Sequence, residues 1–379
     1  MRIARIEAYI IQVELIKPYL TAGYAEGGMT AKPCVILRMT TDNGLQGFGE
    51  SDPFPTFTYE SPETVMHMIR NHLGPLVLGM DPANLVALHA SMDALVPGWP
   101  FAKAPIDIAA HDILGQALGV PVYQLLGGQV RDRIPMLWPL GGDTPEANAH
   151  EAVQKIAEGY RSLHIKLGAL SPEVDVARLR AISQAVGPEI PLMVDVNQGW
   201  DYSTALRTIR QLESLNISMV EQPLAANEID AMAKLQASVN LPLSVDEALH
   251  STHEAVTIIR QDAARVFSLK VGKCGGLFRT RQIAAIAEAA RTPCFVNSMI
   301  EMGISVMASV HVAATVPNLV KHGHALMSNL RIKEDILLDG NFQYDGRDIL
   351  VPQDCKGLGL KVDEDKLARL AQDHFVLEI

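Results

Sequence analysis

Between Lys166 and Asn297 the chain repeats one pattern. A short apolar run is closed by a polar residue and followed by a longer amphipathic stretch. The runs SLHIKLG, PLMVDVNQ, ISMVEQP, LPLSVDEA, RVFSLKVGK and PCFVNSM place Lys166, Asp195, Glu221, Asp246, Lys270 and Asn297 at or near their C-terminal ends. The successive offsets are 29, 26, 25, 24 and 27 residues. One strand-like run per period, with room for a loop and a helix between, predicts repeated βα units. Right-handed units of this kind close most simply into an eight-stranded barrel. Met136–Trp138 reads as its first strand and NLVKHGHAL as its eighth.

The periodicity differs at both ends. IARIEAYIIQVEL alternates like a strand, and PCVILRMTTDNGLQGFGES reads as a hairpin turning at Asp42-Asn43-Gly44. Two loops interrupt this sheet, KPYLTAGYAEGGM with Tyr19 and Tyr24, and SDPFPTFTYESPE with Phe54, Phe57 and Tyr59. Their aromatics either fill the sheet's own core or form a lid over the barrel mouth. Helical spacing follows, from Ser61 to about Leu126. The expected division is an α+β capping domain over 1–126, a barrel over 127–330, and a tail over 331–379 that packs back on the first sheet. The fold class is α/β, a (β/α)7β-type barrel with a cap completed by the tail.

Composition narrows the setting. The chain has 379 residues, 48% hydrophobic and 20% charged, with 32 basic against 43 acidic side chains and a net charge of −11. That charge argues against nucleic acid or an anionic membrane as partner. No apolar run approaches the roughly 20 residues of a membrane span, and the first residues lack the apolar core of a signal peptide. Cys34, Cys274, Cys294 and Cys355 are scattered without the spacing of a zinc site, as for reduced thiols in a cytoplasmic protein.

The candidate chemistry follows from where the polar residues sit. Active sites of βα barrels lie at the C-terminal ends of the strands. Asp195, Glu221 and Asp246 would then crowd three carboxylates into one cup, which calls for a cation between them. All-oxygen ligands suit Mg²⁺, with Mn²⁺ as a substitute. Lys166 and Lys270, on the flanking strands, would face each other across whatever the metal holds. His164 shares the face of Lys166, and Asn197 that of Asp195. Asn297 and Glu301 follow the seventh run, and His322 is a candidate contact to the distal end of a substrate.

With these residues in place the chain resembles the enolase superfamily, within it the mandelate racemase/muconate lactonizing enzyme family and its muconate lactonizing (muconate cycloisomerase) subgroup. The likeness covers the hairpin ending in GFGE, the segment FAKAPIDIAAHDILGQALGVPVYQLLGG, the acids Asp195, Glu221 and Asp246, Lys166, and Lys270 within KVGKCGG. It implies a Mg²⁺-dependent enzyme that removes a proton next to a carboxylate, and a homo-oligomer, from dimer to octamer. One departure is His164, where many members of the subgroup have a lysine two residues before Lys166. The expected partner is a small carboxylate. Three outcomes stay open: an isomerase (racemase, epimerase or cycloisomerase), a dehydratase in which Lys270, His164 or His322 protonates a leaving hydroxyl, and a non-catalytic barrel.

Overall fold

The computed structural model describes residues 1–22 and 27–379, so Tyr24 lies outside the described residues. β1 (Ile3–Tyr19), β2 (Met29–Thr41) and β3 (Gln46–Ser51) form an antiparallel meander. Gly44 makes the second turn at φ 86°, a conformation that glycine adopts without a steric penalty. Side chains alternate faces along a strand, so Gly47 and Gly49 of the GFGE tract point the same way, onto the helix Pro100–Leu118. A Cβ at either position would collide with a helix carbonyl, that of Ala109 or Pro105. Sheet and helix therefore meet backbone to backbone. Gly49→Ala is expected to destabilise the protein by about 3 kcal/mol, the cost of overpacking a contact that cannot yield, measurable by urea unfolding.

Glu50 points to the other face. Its carboxylate accepts from the Met302 and Ser305 N–H groups, 2.7 Å each, at the start of the helix Gly303–Thr315. One acidic side chain from the first sheet thus caps a barrel helix and fixes how the two parts meet.

After β4 (Arg133–Pro135) come β5 (Trp138–Leu140), β6 (Leu163–Lys166), β7 (Leu192–Asp195), β8 (Ile217–Glu221), β9 (Leu243–Val245), β10 (Val266–Leu269) and β11 (Cys294–Val296). β5 to β11 pair in sequence order as one parallel sheet, its layers filled by buried residues such as Leu163, Val194 and Phe267. Helices follow the strands, and their starts are set locally. Thr144, Ser171, Asp201 and Ser251 each accept a hydrogen bond from the N–H three residues on.

The predicted eighth strand is not a continuous ladder. Leu319 bridges Cys294 on one side and His324 bridges Met136 on the other. Val320 N–H donates to the Cys294 carbonyl and Ala325 N–H to that of Val296. Gly323, at φ 133°, bends the chain between the two contacts. The ring closes, but through isolated bridges.

The tail first makes β12 (Tyr344–Asp345) and β13 (Asp348–Leu350), which pairs with β4. After the helix Glu364–Leu370 comes β14 (Ala371–Glu378), antiparallel to β1, so the first sheet reads β14-β1-β2-β3. Among the described residues no helix is long and apolar enough to cross a membrane. The four cysteines are unpaired.

Candidate active site

The strand register brings the polar residues together. Lys166 pairs with Asp195, and Asp195 with Glu221, across β6, β7 and β8. Asp246, Lys270 and Asn297 stand just beyond β9, β10 and β11. Asp195, Glu221 and Asp246 are fully buried.

Lys166 Nζ donates to Asp195 Oδ2, and Lys270 Nζ donates to Asp246 Oδ2 at 2.5 Å. Burial acts to lower the pKa of both lysines, but Asp195 beside Lys166 and Asp246 beside Lys270 outweigh it and raise both. Lys273 is buried beneath. It donates to the carbonyls of Asp246, Leu249 and Ser268 at 2.6, 2.7 and 3.1 Å. Burial works against the charge of Asp246, yet Lys270 and Lys273 hold its pKa well below the usual carboxylate range. Glu221 goes the other way. Burial and the charge of Asp195 raise it, against a histidine beside it.

That histidine is His164, whose Nε2 lies 3.0 Å from Glu221 Oε2, although the two are not aligned for a hydrogen bond. Asn297 Nδ2 donates to Glu221 Oε1 at 2.6 Å and to Ser268 Oγ at 2.9 Å. Asn197, at φ 47°, receives a bond from Thr21 and donates to Glu247 Oε1 at 3.2 Å. Two residues carry more of this arrangement than their sequence context signalled. Gln222 Oε1 accepts from the Asp246 and Ala248 N–H groups at 2.9 and 3.2 Å and so sets the end of β9. Glu247 is buried with the other acids, and burial together with Asp246 and Asp195 pushes it up to about 8. Adjacency to Asp246 was its only signal in the sequence.

Four buried carboxylates in one cluster, with Glu221 Oε2 and Glu247 Oε2 lacking a hydrogen-bond donor, fit a hard divalent cation. His164, Asp195 and Glu221 each present a ligand atom within 4.8 Å of the others. Asp246 is not in that group, because Lys270 and Lys273 draw its carboxylate toward them. Of the four, His164 is the poorest donor for Mg²⁺, which prefers oxygen.

Above these acids lies a cavity of about 590 Å³. Lys166, Lys270, His164, Asn197 and Asn297 line its floor side, and Tyr19, Phe54 and Phe57 come from the two N-terminal loops. Phe54 and Phe57 stack with ring centroids 5.2 Å apart. Tyr59 does not join them; it is 86% exposed.

Two other candidates fall outside. His322 is exposed, and its carbonyl accepts from Ser162 next to the first residue of β6, at the opposite end of the barrel. The bend at Gly323 separates it from the cup. Glu301 is buried but does not line the cavity; Ser298 Oγ, Ser328 Oγ and Met299 N–H donate to it at 2.7, 3.0 and 2.6 Å. The Gly275-Gly276 turn holds no external anion either, since Asp107 accepts from the Leu277 and Phe278 N–H groups there. His111, read from its helix as packed, donates or accepts within that helix at the Asp107 carbonyl.

Comparison with known proteins agrees with this geometry. The chain matches the family model "Mandelate racemase / muconate lactonizing enzyme, N-terminal domain" over residues 5–127 and "Enolase C-terminal domain-like" over 147–366. It is 38% identical to the N-succinyl-L-Arg/Lys racemase of Bacillus cereus over 98% of each chain. Muconate lactonizing enzyme from Pseudomonas fluorescens, solved with muconolactone, superposes with a TM-score of 0.93 at 34% identity, over 98% of this chain and 99% of that one. A dipeptide epimerase from Cytophaga hutchinsonii, solved with Mg and D-Ala-L-Val, superposes with a TM-score of 0.92 at 30% identity over 100% of each chain. With both family models matched in order along one chain, the protein belongs to the mandelate racemase/muconate lactonizing enzyme family of the enolase superfamily and is an isomerase.

Proposed function

We propose that this isomerase is a two-base racemase or epimerase acting at the carbon next to a carboxylate, and that its substrate is an N-acylated amino acid. The observation that carries the reading is the pair of buried lysines on strands β6 and β10, four apart in the seven-strand order, both reaching into one cavity. The likeness to the B. cereus racemase supports the substrate class.

Asp195, Glu221 and Asp246 would hold Mg²⁺, or Mn²⁺ in its place. The ion supplies positive charge beside the substrate carboxylate, where negative charge develops as the proton leaves. Lys166 takes the proton from one face of the α-carbon and Lys270 returns one to the other, or the reverse. A basic lysine must be freed of its carboxylate partner. A cation on Asp195 and Asp246 would do that, leaving burial as the main influence on each amine. His164 holds Glu221 in place, Asn297 anchors its other oxygen, and Asn197 ties Glu247 to the loop carrying Thr21. The two loops bearing Tyr19 and Phe54 close the cavity and exclude water.

Dehydration is less well supported. It needs an acid for the leaving hydroxyl, yet His322 is outside the cup and His164 is engaged with Glu221. We further propose the division into a cap over 1–126, a barrel over 127–330 and a tail, in a cytoplasmic homo-oligomer. The test is incubation of N-acyl amino acids with the protein and Mg²⁺ in D₂O. Loss of optical rotation and deuterium at the α-carbon of both enantiomers are expected. A product lacking one water would replace this reading with dehydration.

A further inference from the structure

We infer that Arg331, with Tyr19, forms a second anion subsite in the cavity, so that the substrate carries a carboxylate beyond the one next to its reacting carbon. The inference rests on the isomerase reading above and deepens it to a substrate class.

Charge balance in the cavity is the starting point. Three permanently cationic side chains line it, those of Lys166, Lys270 and Arg331, and no Asp or Glu is in the lining. Lys166 is matched by Asp195 and Lys270 by Asp246. Among the described residues no carboxylate pairs with Arg331. The two lysines and the acids beneath them can accept one substrate carboxylate with its metal. Arg331 is a surplus charge in a partly enclosed space, where an unmatched cation attracts an anion strongly.

The geometry presents that charge. Arg331 is half-buried, and its backbone is held on both sides: its N–H donates to the Ser328 carbonyl and its carbonyl accepts from Ile16 of β1, each at 2.9 Å. The guanidinium carbon sits 4.0 Å from the centroid of the Tyr19 ring. Stacking on an aromatic face orients the guanidinium plane and leaves its edge N–H groups available, the fork that binds a carboxylate in two places.

Tyr19 provides the second, independent sign. It is 6% exposed, and its hydroxyl is buried with no hydrogen-bond partner among the described residues. The same side chain lines the cavity. A buried phenol without a partner in a site wall is a donor awaiting an acceptor. Between this pair and the lysines the lining is apolar, with Met29, Phe54, Met299 and Met327. The cavity therefore suits a substrate charged at both ends with an apolar link, and disfavours one whose distal end is an ammonium.

The second carboxylate can come from the acyl arm or from the amino-acid side chain, so matched pairs separate the two. N-succinylalanine is compared with N-butyrylalanine, and N-acetylglutamate with N-acetylglutamine, using wild type, Arg331→Met, Arg331→Lys and Tyr19→Phe in saturating Mg²⁺. One pair is expected to show a kcat/KM ratio of about 10- to 100-fold favouring the dianion, the range for a charged hydrogen-bonded contact. The difference should reside mainly in KM. Arg331→Met should bring that ratio to within about threefold while leaving kcat for the neutral partner little changed, and Arg331→Lys should restore part of it. Calorimetric affinities of the same compounds are measured alongside. Equal wild-type affinities within both pairs, or an Arg331→Met variant that weakens both members equally, would overturn the subsite. If no compound takes up deuterium, the proposed reaction on N-acyl amino acids falls, and the affinity differences still decide for or against Arg331.

Discussion

Replacing either Lys166 or Lys270 with arginine is expected to abolish racemisation while leaving exchange of the α-proton in one enantiomer only. Arginine keeps the positive charge that faces Asp195 or Asp246, so the buried carboxylate retains a partner. It cannot act as a base near neutral pH, because its pKa exceeds about 12. The loss in racemisation should be roughly 10³-fold or more, the upper part of what one positioned base contributes. If the lysines serve opposite faces, Lys166→Arg and Lys270→Arg should retain exchange of opposite enantiomers. Proton NMR in D₂O with each pure enantiomer reads this directly. Full racemase activity in both variants would remove the mechanism. Exchange lost for both enantiomers in one variant and for neither in the other would reduce it to a single base.

Chelation of divalent metal is expected to abolish activity without unfolding the protein. Activity should fall by roughly 10³-fold or more, since charge developing on a substrate carboxylate would lose its largest electrostatic partner. The fold should survive because the acids are not left bare. Asp195 is paired with Lys166, and Asp246 with Lys270 and Lys273. At a metal concentration near 100 times Kd, binding adds about 2.7 kcal/mol of stability, so Tm should drop by only about 5 °C in EDTA. Glu221→Gln should behave as permanently depleted, with no Mg²⁺ binding by calorimetry and a circular dichroism spectrum like that of the wild type. Cooperative unfolding on chelation would show that metal is needed to hold the carboxylate cluster together. Unchanged activity in EDTA would remove metal from the mechanism.

Different parts of this protein were legible to different degrees. The parallel sheet was visible because each βα unit repeats within about 25 residues and every strand is apolar up to its last position. The tail's return to β1 was expected from its strand-like runs, and β14 takes that place. The eighth strand was misjudged in form. NLVKHGHAL has a strand's composition, but Gly323 breaks its ladder, and the same bend carries His322 away from the cup. Glu301 followed the seventh strand in sequence, yet two serines and a backbone amide turn its carboxylate away from the cavity.

Sequence alone determined which residues could meet at the strand ends, because a period of two within a strand and a nearly constant repeat between strands leave little freedom in register. It also singled out GFGE, though not that its glycines exist to let a helix touch a sheet. Only the tertiary structure decided how the charges pair: Lys166 with Asp195, Lys270 with Asp246, and Arg331 with an aromatic face and no described carboxylate. The reason is physical. Strand register is a local property repeated along the chain, whereas a buried charge is balanced by whatever distant element the fold brings within a few ångströms, and Tyr19 lies more than three hundred residues from Arg331 in sequence.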